Sequence, residues 1–360
     1  MTSCNEKIAL YILPQLASIE KNLSKFDVHF YFVYSKIHEK FIDALETQAK
    51  KAKNITFYAI KFVQDVEFYE CLVKYGSWQW PCEAYYTLRP QDYLPDDVDR
   101  ILYIDAGDVI INGDISPYYF DDFEGNSIIA TAFASTFKTN EITKELELVT
   151  REDILKVVLK GIFNGGCYVI NVDKFRKDGY SVEDYRYLAS TLHENRTNNE
   201  MAFIGDQGFL AAAFVGDVKF FGYPENKDPT YNPYNFTSSF WGVHKKEPSY
   251  TPIVIHYALP SKPWILRFSE EIIKNVIERP DFIAYCLVTQ IPTIAYITPQ
   301  HFRLCETWWE YAKDTPIYNE ANAKAIIYAE CFLYYYFTLC EKYNDTALEL
   351  ILYKKKYGSL

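Results

Sequence analysis

The chain has 360 residues, of which 49% are hydrophobic, and it carries a net charge of −11 at neutral pH. This length suits one large domain with an appendage, or two domains. The acidic balance argues against broad nucleic-acid binding and leaves any phosphate recognition to a few local cations or a metal ion.

The opening section of the chain alternates between helical and extended patterns. The spacing of apolar residues predicts helices over 8–23 and 37–52 and strands over 28–33 and 55–60. Such alternation predicts a parallel sheet with helices on both faces. A strand normally precedes the first helix of such a sheet, and residues 1–7 leave little room, so we expect this strand to be short or missing.

The remainder divides into a mixed section and a helical section. Strands are predicted over 101–104, 127–133 and 167–171, and helices over 181–192 and directly after Asp206. Residues 223–250 are rich in Pro, Asn, Tyr and Ser, which predicts long loops. Helices are predicted over 269–278, 299–313 and 319–342. We therefore expect an α/β domain over 1–268 and a helical C-terminal subdomain over 269–360.

The cysteines and the apolar segments bear on the cellular location. The eight cysteines have no regular spacing, which indicates neither a zinc site nor a disulfide framework, and a reducing cytoplasm is the simplest location. No apolar run approaches the roughly 20 residues of a membrane helix, and the N-terminus lacks a signal-peptide pattern. The apolar stretch 331–339 predicts a core helix, with peripheral contact to the inner face of the membrane as the alternative.

Two carboxylates, Asp105 and Asp108, follow the apolar strand predicted over 101–104. Ligands of open α/β sheets bind at the carboxyl ends of strands. At about 4 Å and an effective dielectric near 20, two carboxylates repel each other by roughly 4 kcal/mol. Mg²⁺ or Mn²⁺ would compensate for this repulsion, whereas a solvated turn capped by Asp108 is the alternative.

Three further segments carry polar side chains beside glycine or proline. Asn164 and two glycines stand just before a predicted strand, as if the backbone approached a ligand closely. Asp206 and Gln207 open a predicted helix, where an acid is also an ordinary N-cap. His256 is followed by Lys262 in a proline-braced loop, and a structural role is the alternative for both.

In this order the segments resemble the family 8 glycosyltransferases, which are retaining enzymes of the GT-A fold that use nucleotide-sugar donors. The matching residues run from 8 to 270 and include Tyr85-Tyr86 and the acidic stretch 94–99. The resemblance extends to bacterial lipopolysaccharide galactosyl- and glucosyltransferases and to general-stress-protein-A-like members. It implies a mixed α/β sheet flanked by helices, followed by a helical C-terminal region.

The resemblance also implies a metal site. In the family, two acids and a later histidine hold Mn²⁺ on the donor diphosphate, and Asp105, Asp108 and His256 match them. Such an ion, or Mg²⁺, neutralises charge on the leaving nucleoside diphosphate. Lys262 matches a lysine that adds positive charge to the same phosphates.

Further positions match residues near the donor sugar and the base. Asn164 and Gly165 match a segment that touches the donor sugar, with a tight turn as the alternative. Asp206 and Gln207 match the positions nearest the reacting carbon, where retention through a covalent intermediate and front-face attack both stay open. Asn5 is a candidate contact to the nucleotide base.

The acidic motif departs from the usual family pattern. Ala106 and Gly107 stand between its two acids, where the family has a single residue. Residues three apart on a straight strand face opposite sides of the sheet. Both acids can reach one metal only if the backbone turns, so we predict a bulge or non-strand conformation at Gly107.

These features favour a metal-dependent retaining glycosyltransferase that moves a hexose from a UDP-sugar to a glycan or lipid-linked acceptor. The spaced acids and Thr87, which replaces a common arginine, leave a catalytically impaired nucleotide-sugar-binding protein as an alternative. A metal-dependent nucleotidyltransferase is a further alternative, although the N-terminus lacks a glycine-rich basic loop for a triphosphate.

Overall fold

The structure is a computed structural model in which the chain forms two compact units. It describes residues 1–75, 81–132, 163–179, 181–194, 205–214, 216–222, 232–234, 236–237, 251–258, 262–277 and 299–343. The first unit comprises residues 1–236 and 250–256, and the second comprises 237–249 and 257–360. The domain boundary between 268 and 269 stays a prediction of the sequence.

The elements follow the alternating pattern in chain order. The strands are β1 (Thr2–Ser3), β2 (Val28–Tyr34), β3 (Ile55–Lys61), β4 (Arg100–Ile104), β5 (Val109–Ile111), β6 (Ile128–Ala132), β7 (Phe163–Asn171), β8 (Val218–Phe220), β9 (Phe236–Thr237) and β10 (Val254–His256). The helices are α1 (Ile12–Asn22), α2 (Glu39–Lys51), α3 (Val66–Tyr75), α4 (Ser116–Tyr119), α5 (Val172–Asp178), α6 (Val182–Glu194), α7 (Gly205–Ala213), α8 (Glu270–Ile272), α9 (Pro299–Ala312) and α10 (Tyr318–Tyr343). Ala9–Tyr11, Cys82–Leu88 and Pro90–Asp92 form 3₁₀ turns.

The sheet of the first unit is parallel at one end and mixed at the other. Strands β1, β2 and β3 are neighbours in that order and run parallel. Strand β7 runs antiparallel to β4 on one side and to β6 on the other, and β8 runs parallel to β6. The prediction of a parallel opening section is therefore confirmed, within a sheet that is mixed as a whole.

Met1 joins these two groups of strands. Its nitrogen donates to the Leu102 carbonyl oxygen at 2.7 Å, and its carbonyl oxygen accepts from the Ile104 nitrogen at 3.0 Å. Thr2 and Ser3 then pair with β2. The first strand is thus short, as the sequence predicts, yet it lies between β2 and β4, and the carboxyl ends of β1 and β4 are neighbours.

Several elements differ from their predicted bounds. Strand β7 begins at Phe163, four residues before the predicted start, because its glycines continue the sheet in extended conformation. Strand β5 and helix α3 have no counterpart among the predicted elements. Phe236–Thr237 forms a two-residue strand inside the predicted 223–250 loop region, most of which lies outside the described residues.

The core of the first unit lies around β4, β6 and β7. Every residue of β7 except the last is buried, and helix α1 packs against β5 through a face that includes Leu13, Leu16 and Ile19. These apolar positions recur at helical spacing, so one face of α1 covers the sheet. The same face carries Gln15, which is also fully buried.

The second unit contains the helices α8 to α10. Within this unit, Arg267 connects the segment before α8 to helix α9. Its guanidinium contacts both carboxylate oxygens of Glu306 at 2.6 and 2.9 Å and lies 4.8 Å from the centre of the Trp309 ring. A search of the described helices finds none with both the length and the apolar character to cross a membrane.

Candidate active site

The chain turns sharply after β4, at the acidic motif. Ala106, Gly107 and Asp108 form a turn, and Gly107 has a φ of +73°, a left-handed conformation that favours glycine. A Cβ atom added at Gly107 would lie 2.7 Å from the Cβ atom of Tyr11. The predicted non-strand conformation at Gly107 is confirmed, and a close approach of the N-terminal segment is a second reason for glycine here.

The side chain of Gln15, in helix α1, forms hydrogen bonds at both ends of this turn. Its Nε2 atom donates to the carbonyl oxygens of Asp105, at 2.8 Å, and of Val109, at 2.9 Å. Asp105 lies directly before the turn, and Val109, the first residue of β5, lies directly after it. The buried amide therefore links the two ends of the turn.

The turn brings three side chains to one point. Asp105, Asp108 and His256 each offer a ligand atom, and these atoms all lie within 4.8 Å of one another. His256 ends strand β10, which pairs antiparallel with β5 so that His256 lies opposite Val109, the residue after Asp108. The extra residue between the acids thus does not separate them.

Asn164 fixes the orientation of the His256 ring. The Nδ1 atom of His256 lies 2.8 Å from Oδ1 of Asn164, which also accepts from the Gly166 nitrogen at 3.0 Å. A carboxamide oxygen only accepts hydrogen bonds, so Nδ1 carries the hydrogen. In the neutral ring the other nitrogen, Nε2, then presents a lone pair, as a metal-binding histidine does.

Asp105 is also held by its neighbours. The hydroxyl of Tyr103 donates to Oδ1 of Asp105 at 3.0 Å, and the Asp105 nitrogen donates to the Gly166 carbonyl oxygen at 2.9 Å. The second oxygen, Oδ2, lies 3.3 Å from Nε2 of His256. One carboxylate oxygen is therefore used for orientation, and the other points toward the histidine.

The two glycines of β7 make space for this arrangement. A Cβ atom added at Gly166 would lie 2.2 Å from Cε1 of His256. One added at Gly165 would lie 3.0 Å from Cβ of Gln207, and the Gly165 nitrogen donates to Oε1 of Gln207 at 3.1 Å. Strand β7 thus contacts His256 and Gln207 at two residues that have no side chain.

Asp206 stands at the beginning of helix α7. Burial and, to a lesser extent, the negative charge of Asp105 raise the pKa of this carboxyl group to about 8. Desolvation and a nearby like charge both disfavour the ionised form. The first turn of α7 therefore places an acid with perturbed ionisation beside the acidic triad.

The two remaining predicted residues lie elsewhere. Asn5 follows β1 and lines a cavity of about 500 Å³ in the first unit. Lys262 belongs to the second unit, where its Nζ atom donates to the Tyr257 carbonyl oxygen at 2.7 Å. The predicted contact of Lys262 with phosphates, like the predicted contacts of Asn164 and Gly165 with a sugar, stays a prediction.

Gln15 and Tyr103 are two residues of the site that the sequence does not predict. Tyr103 stands two residues before Asp105, and residues two apart on a strand share a face, so periodicity offered a signal for it. Gln15 offered only the weaker signal of one amide among the apolar residues of α1. Its partners are about 90 positions away in the chain and follow only from the fold.

Comparison with known proteins relates this geometry to one family. A model of glycosyl transferase family 8 matches residues 1–266. A lipopolysaccharide 1,3-galactosyltransferase of Salmonella typhimurium is 26% identical over 270 residues, which are 72% of this chain and 68% of that protein. An Arabidopsis thaliana protein, probable galacturonosyltransferase-like 4, is 25% identical over 178 residues, or 48% of this chain, and the match spans 47% of its length.

A solved structure shows the same fold. The galactosyltransferase LgtC, in complex with donor and acceptor sugar analogs, superposes with a TM-score of 0.56 at 16% identity, covering 88% of this chain and 95% of that one. The fold is therefore the GT-A glycosyltransferase fold, as the sequence predicts. Because the family model matches well over half of the 360 residues, the chain belongs to glycosyl transferase family 8.

Proposed function

We propose that this chain is a metal-dependent, retaining hexosyltransferase that moves a hexose from a UDP-sugar to a glycan or lipid-linked acceptor. The observation that carries the proposal is the meeting of Asp105, Asp108 and His256 within 4.8 Å, beside Asp206, in a chain of this family. A UDP-sugar would then bind with its diphosphate at the triad and its sugar toward α7.

The triad fits a divalent cation. Two carboxylates and one imidazole nitrogen form a ligand set that suits Mn²⁺, and Mg²⁺ accepts the carboxylates equally well. Nε2 of His256 and Oδ2 of Asp105 are both acceptors at 3.3 Å, which favours a cation or a proton between them. When bound, such a cation neutralises the charge of the departing diphosphate.

The remaining site residues are assigned by their surroundings. Asp206 and Gln207 are proposed to act at the reacting sugar carbon, and Gly165 holds the amide of Gln207 through its backbone nitrogen. Asn164 and Gly165 are proposed to face the donor sugar, and Lys262 the phosphates. Retention through a covalent intermediate or by front-face attack uses the same residues, since both need stabilisation of an oxocarbenium-like state.

The names of similar proteins support the choice of substrates. One relative is a galactosyltransferase that acts on lipopolysaccharide, and a structure of similar fold holds donor and acceptor sugar analogs. A glycan or lipid-linked acceptor is therefore proposed here. The exposed apolar side chains of Ile327, Tyr328 and Tyr334 on α10 support peripheral contact of this helix with a membrane.

The proposal is tested by donor turnover. The protein is incubated with Mn²⁺ and with UDP-glucose, UDP-galactose or their N-acetyl forms, and the release of UDP is measured for the wild type and for Asp108→Asn. We expect at least one donor to be hydrolysed or transferred, with a loss of about 100-fold or more in Asp108→Asn. The anomeric configuration of the product, followed by NMR, tests retention.

A matched control is Asp114→Asn, which removes an exposed carboxylate six residues further along the chain. Asp114→Asn should leave UDP release unchanged. Equal activity of the wild type and Asp108→Asn would reject the metal-dependent mechanism. Binding of UDP-sugars without any turnover would instead support a nucleotide-sugar-binding protein, and release of pyrophosphate from a nucleoside triphosphate and a sugar phosphate would support a nucleotidyltransferase.

A further inference from the structure

A cavity of about 500 Å³ lies at the carboxyl ends of β1 and β2. Asn5 follows β1 and Ser35 directly follows β2, and both line the cavity. Ligands of open α/β sheets bind at such strand ends, and the volume falls within the range of small-molecule sites. The rest of the wall includes the rings of Tyr69 and Tyr86 and the carboxylate-bearing residue Glu83.

Glu83 is buried, with 5% of its surface exposed, although it carries a carboxylate. The Ser35 hydroxyl donates to its Oε1 atom at 2.5 Å, and the Ser3 hydroxyl donates to its backbone carbonyl at 2.7 Å. Within the described part of the chain, no hydrogen-bond donor contacts Oε2 of Glu83. A buried carboxylate is costly to leave without partners, so Glu83 offers a strong acceptor to a ligand in this cavity.

Asn5 supplies the complementary group. Its Oδ1 atom accepts from the Lys7 nitrogen at 3.1 Å, which leaves the NH₂ group of the same amide to donate. The cavity therefore combines an acceptor, Oε2 of Glu83, with a donor from Asn5. Uracil presents one N–H group, N3–H, between two carbonyl oxygens, and so offers the counterpart of both.

The single available oxygen of Glu83 also bears on which base fits. Guanine presents two adjacent N–H donors that match both oxygens of a carboxylate, but Ser35 already occupies Oε1 of Glu83. Uracil needs only one acceptor at N3–H. The hydrogen-bonding pattern therefore favours uracil over guanine.

The cavity and the acidic triad share one edge of the sheet. Strand β1 lies beside β4 through the backbone bonds of Met1, and neighbouring strands are about 4.8 Å apart. Asn5 stands two residues after the end of β1, and Asp105 stands directly after the end of β4. A nucleotide can therefore place its base in the cavity and its phosphates toward the triad.

We propose that Glu83 determines the base specificity of the donor site by accepting the N3–H group of a uracil ring bound in this cavity. The inference rests on the proposed function, because it names the residue that would select a uridine donor. Glu83 is a binding residue here and takes no part in the transfer step.

Calorimetry with UDP and with N3-methyl-UDP, both in the presence of Mn²⁺, tests this contact. We expect the wild type to bind UDP more tightly than CDP, GDP and N3-methyl-UDP. Glu83→Ala should weaken UDP binding about 10- to 100-fold, as expected for loss of a hydrogen bond to a charged group. It should also reduce the discrimination against N3-methyl-UDP, because the lost bond is the one that the methyl group blocks.

Two further variants complete the experiment. Glu83→Gln keeps the size of the side chain; with its oxygen turned to N3–H and its NH₂ group donating to the Ser35 hydroxyl, it should weaken UDP binding only a few-fold through loss of charge. Glu67→Gln removes the charge of an exposed acidic residue of α3 outside the cavity lining and should leave all affinities unchanged. Thermal unfolding of each variant checks that it is folded.

The outcomes separate this inference from the proposed function. Mn²⁺-dependent UDP binding that is the same in the wild type and Glu83→Ala would overturn the role of Glu83 and leave the transferase proposal intact. Equal weakening of UDP and N3-methyl-UDP in Glu83→Ala would overturn it too, since the N3–H group would then not be read. Failure of the wild type to bind any nucleoside diphosphate would overturn both proposals.

Discussion

Nε2 of His256 and Oδ2 of Asp105 face each other, and they can form a hydrogen bond only if a proton lies between them. Nε2 of His256 lies 3.3 Å from Oδ2 of Asp105, while Asn164 accepts the hydrogen on Nδ1. The neutral ring thus directs a lone pair at a carboxylate. Either a proton or a cation relieves the repulsion between them, and the second carboxylate of Asp108 nearby favours a divalent ion.

Replacing Asn164 should weaken metal binding, although Asn164 is not itself one of the proposed metal ligands. Asn164→Leu keeps a similar volume but removes the acceptor that orients His256, and such supporting contacts are typically worth 10- to 100-fold in metal affinity, so we expect a loss of about that size. Calorimetric titration with Mn²⁺ measures it. Asn54→Leu, which removes an amide bonded to the Leu23 carbonyl instead, is the control. Equal Mn²⁺ affinity in Asn164→Leu and the wild type would show that His256 needs no such support.

A methyl group at Gly166 should disrupt the site by contact alone. It would lie 2.2 Å from Cε1 of His256, so Gly166→Ala must displace the ring. We expect Mn²⁺-dependent UDP release to fall about 100-fold or more. In the control Gly113→Ala, the added methyl meets the Ile253 side chain at 3.2 Å, and a small shift of that side chain relieves the contact. Retained activity in Gly166→Ala would mean that His256 is not required where the structure places it.

Gly107 and Gly179 allow backbone strain to be separated from steric contact. Both have positive φ angles, of +73° and +65°, so alanine at either position should cost about 1 kcal/mol or more in the free energy of unfolding. Only at Gly107 does the added Cβ also meet Tyr11, at 2.7 Å. Urea denaturation should therefore show a larger loss for Gly107→Ala, which should also weaken Mn²⁺ binding. Equal losses in the two variants would rule out the steric contribution.

Asp206 should make the metal-free protein less stable as the pH rises. Its pKa is raised from an ordinary value of 3.8 to about 8 in the folded state, so the folded state holds a proton that the unfolded state releases. The free energy of unfolding should therefore fall between about pH 4 and pH 8, by at most about 6 kcal/mol. Denaturation with EDTA present, at several pH values, measures this slope.

Asp206→Asn should remove most of that slope. Asp114→Asn is the control, because hydrogen bonds from Ser116 lower the pKa of Asp114, which then titrates below this range. A slope that is equally steep in the wild type and in Asp206→Asn would contradict the assignment to Asp206.

Arg267 should contribute more to the stability of the second unit than an exposed ion pair does. Arg267→Met leaves the partly buried Glu306 carboxylate without its two guanidinium bonds and removes the contact with the Trp309 ring. We expect a loss of about 1 to 3 kcal/mol in the free energy of unfolding. Lys313→Met, which breaks an exposed pair with Glu310, should cost much less, because water and salt screen this pair. Urea denaturation followed by tryptophan fluorescence compares the two variants.

The sequence predicts the strands and helices whose patterns are long and regular. Strands β2 and β3 and helices α1 and α2 appear close to their predicted bounds. Strand β5 has only three residues and follows directly on the turn at Gly107, so no period could be recognised. The bounds of β7 are shifted because glycine, which normally indicates a turn, here lies in extended backbone.

The candidate site is predictable where chemistry and chain order coincide. Asp105 and Asp108 carry charge at a strand end, and the glycine between them predicts the bend that brings them together. His256 is recognised only through its place in the ordered family motifs. Gln15 and Glu83 act through contacts across the fold, and their neighbours in the chain give no sign of the partners they meet.

The bare backbone at Gly165 and Gly166 has a consequence for attempts to engineer this protein. Glycine weakens a strand interior, so a search for more heat-resistant variants would favour larger residues at both positions. The structure opposes that choice, because the missing side chains form the space that His256 and Gln207 fill. Larger residues at these two sites should therefore lower thermal tolerance and activity together, and heat resistance has to be sought elsewhere in the sheet.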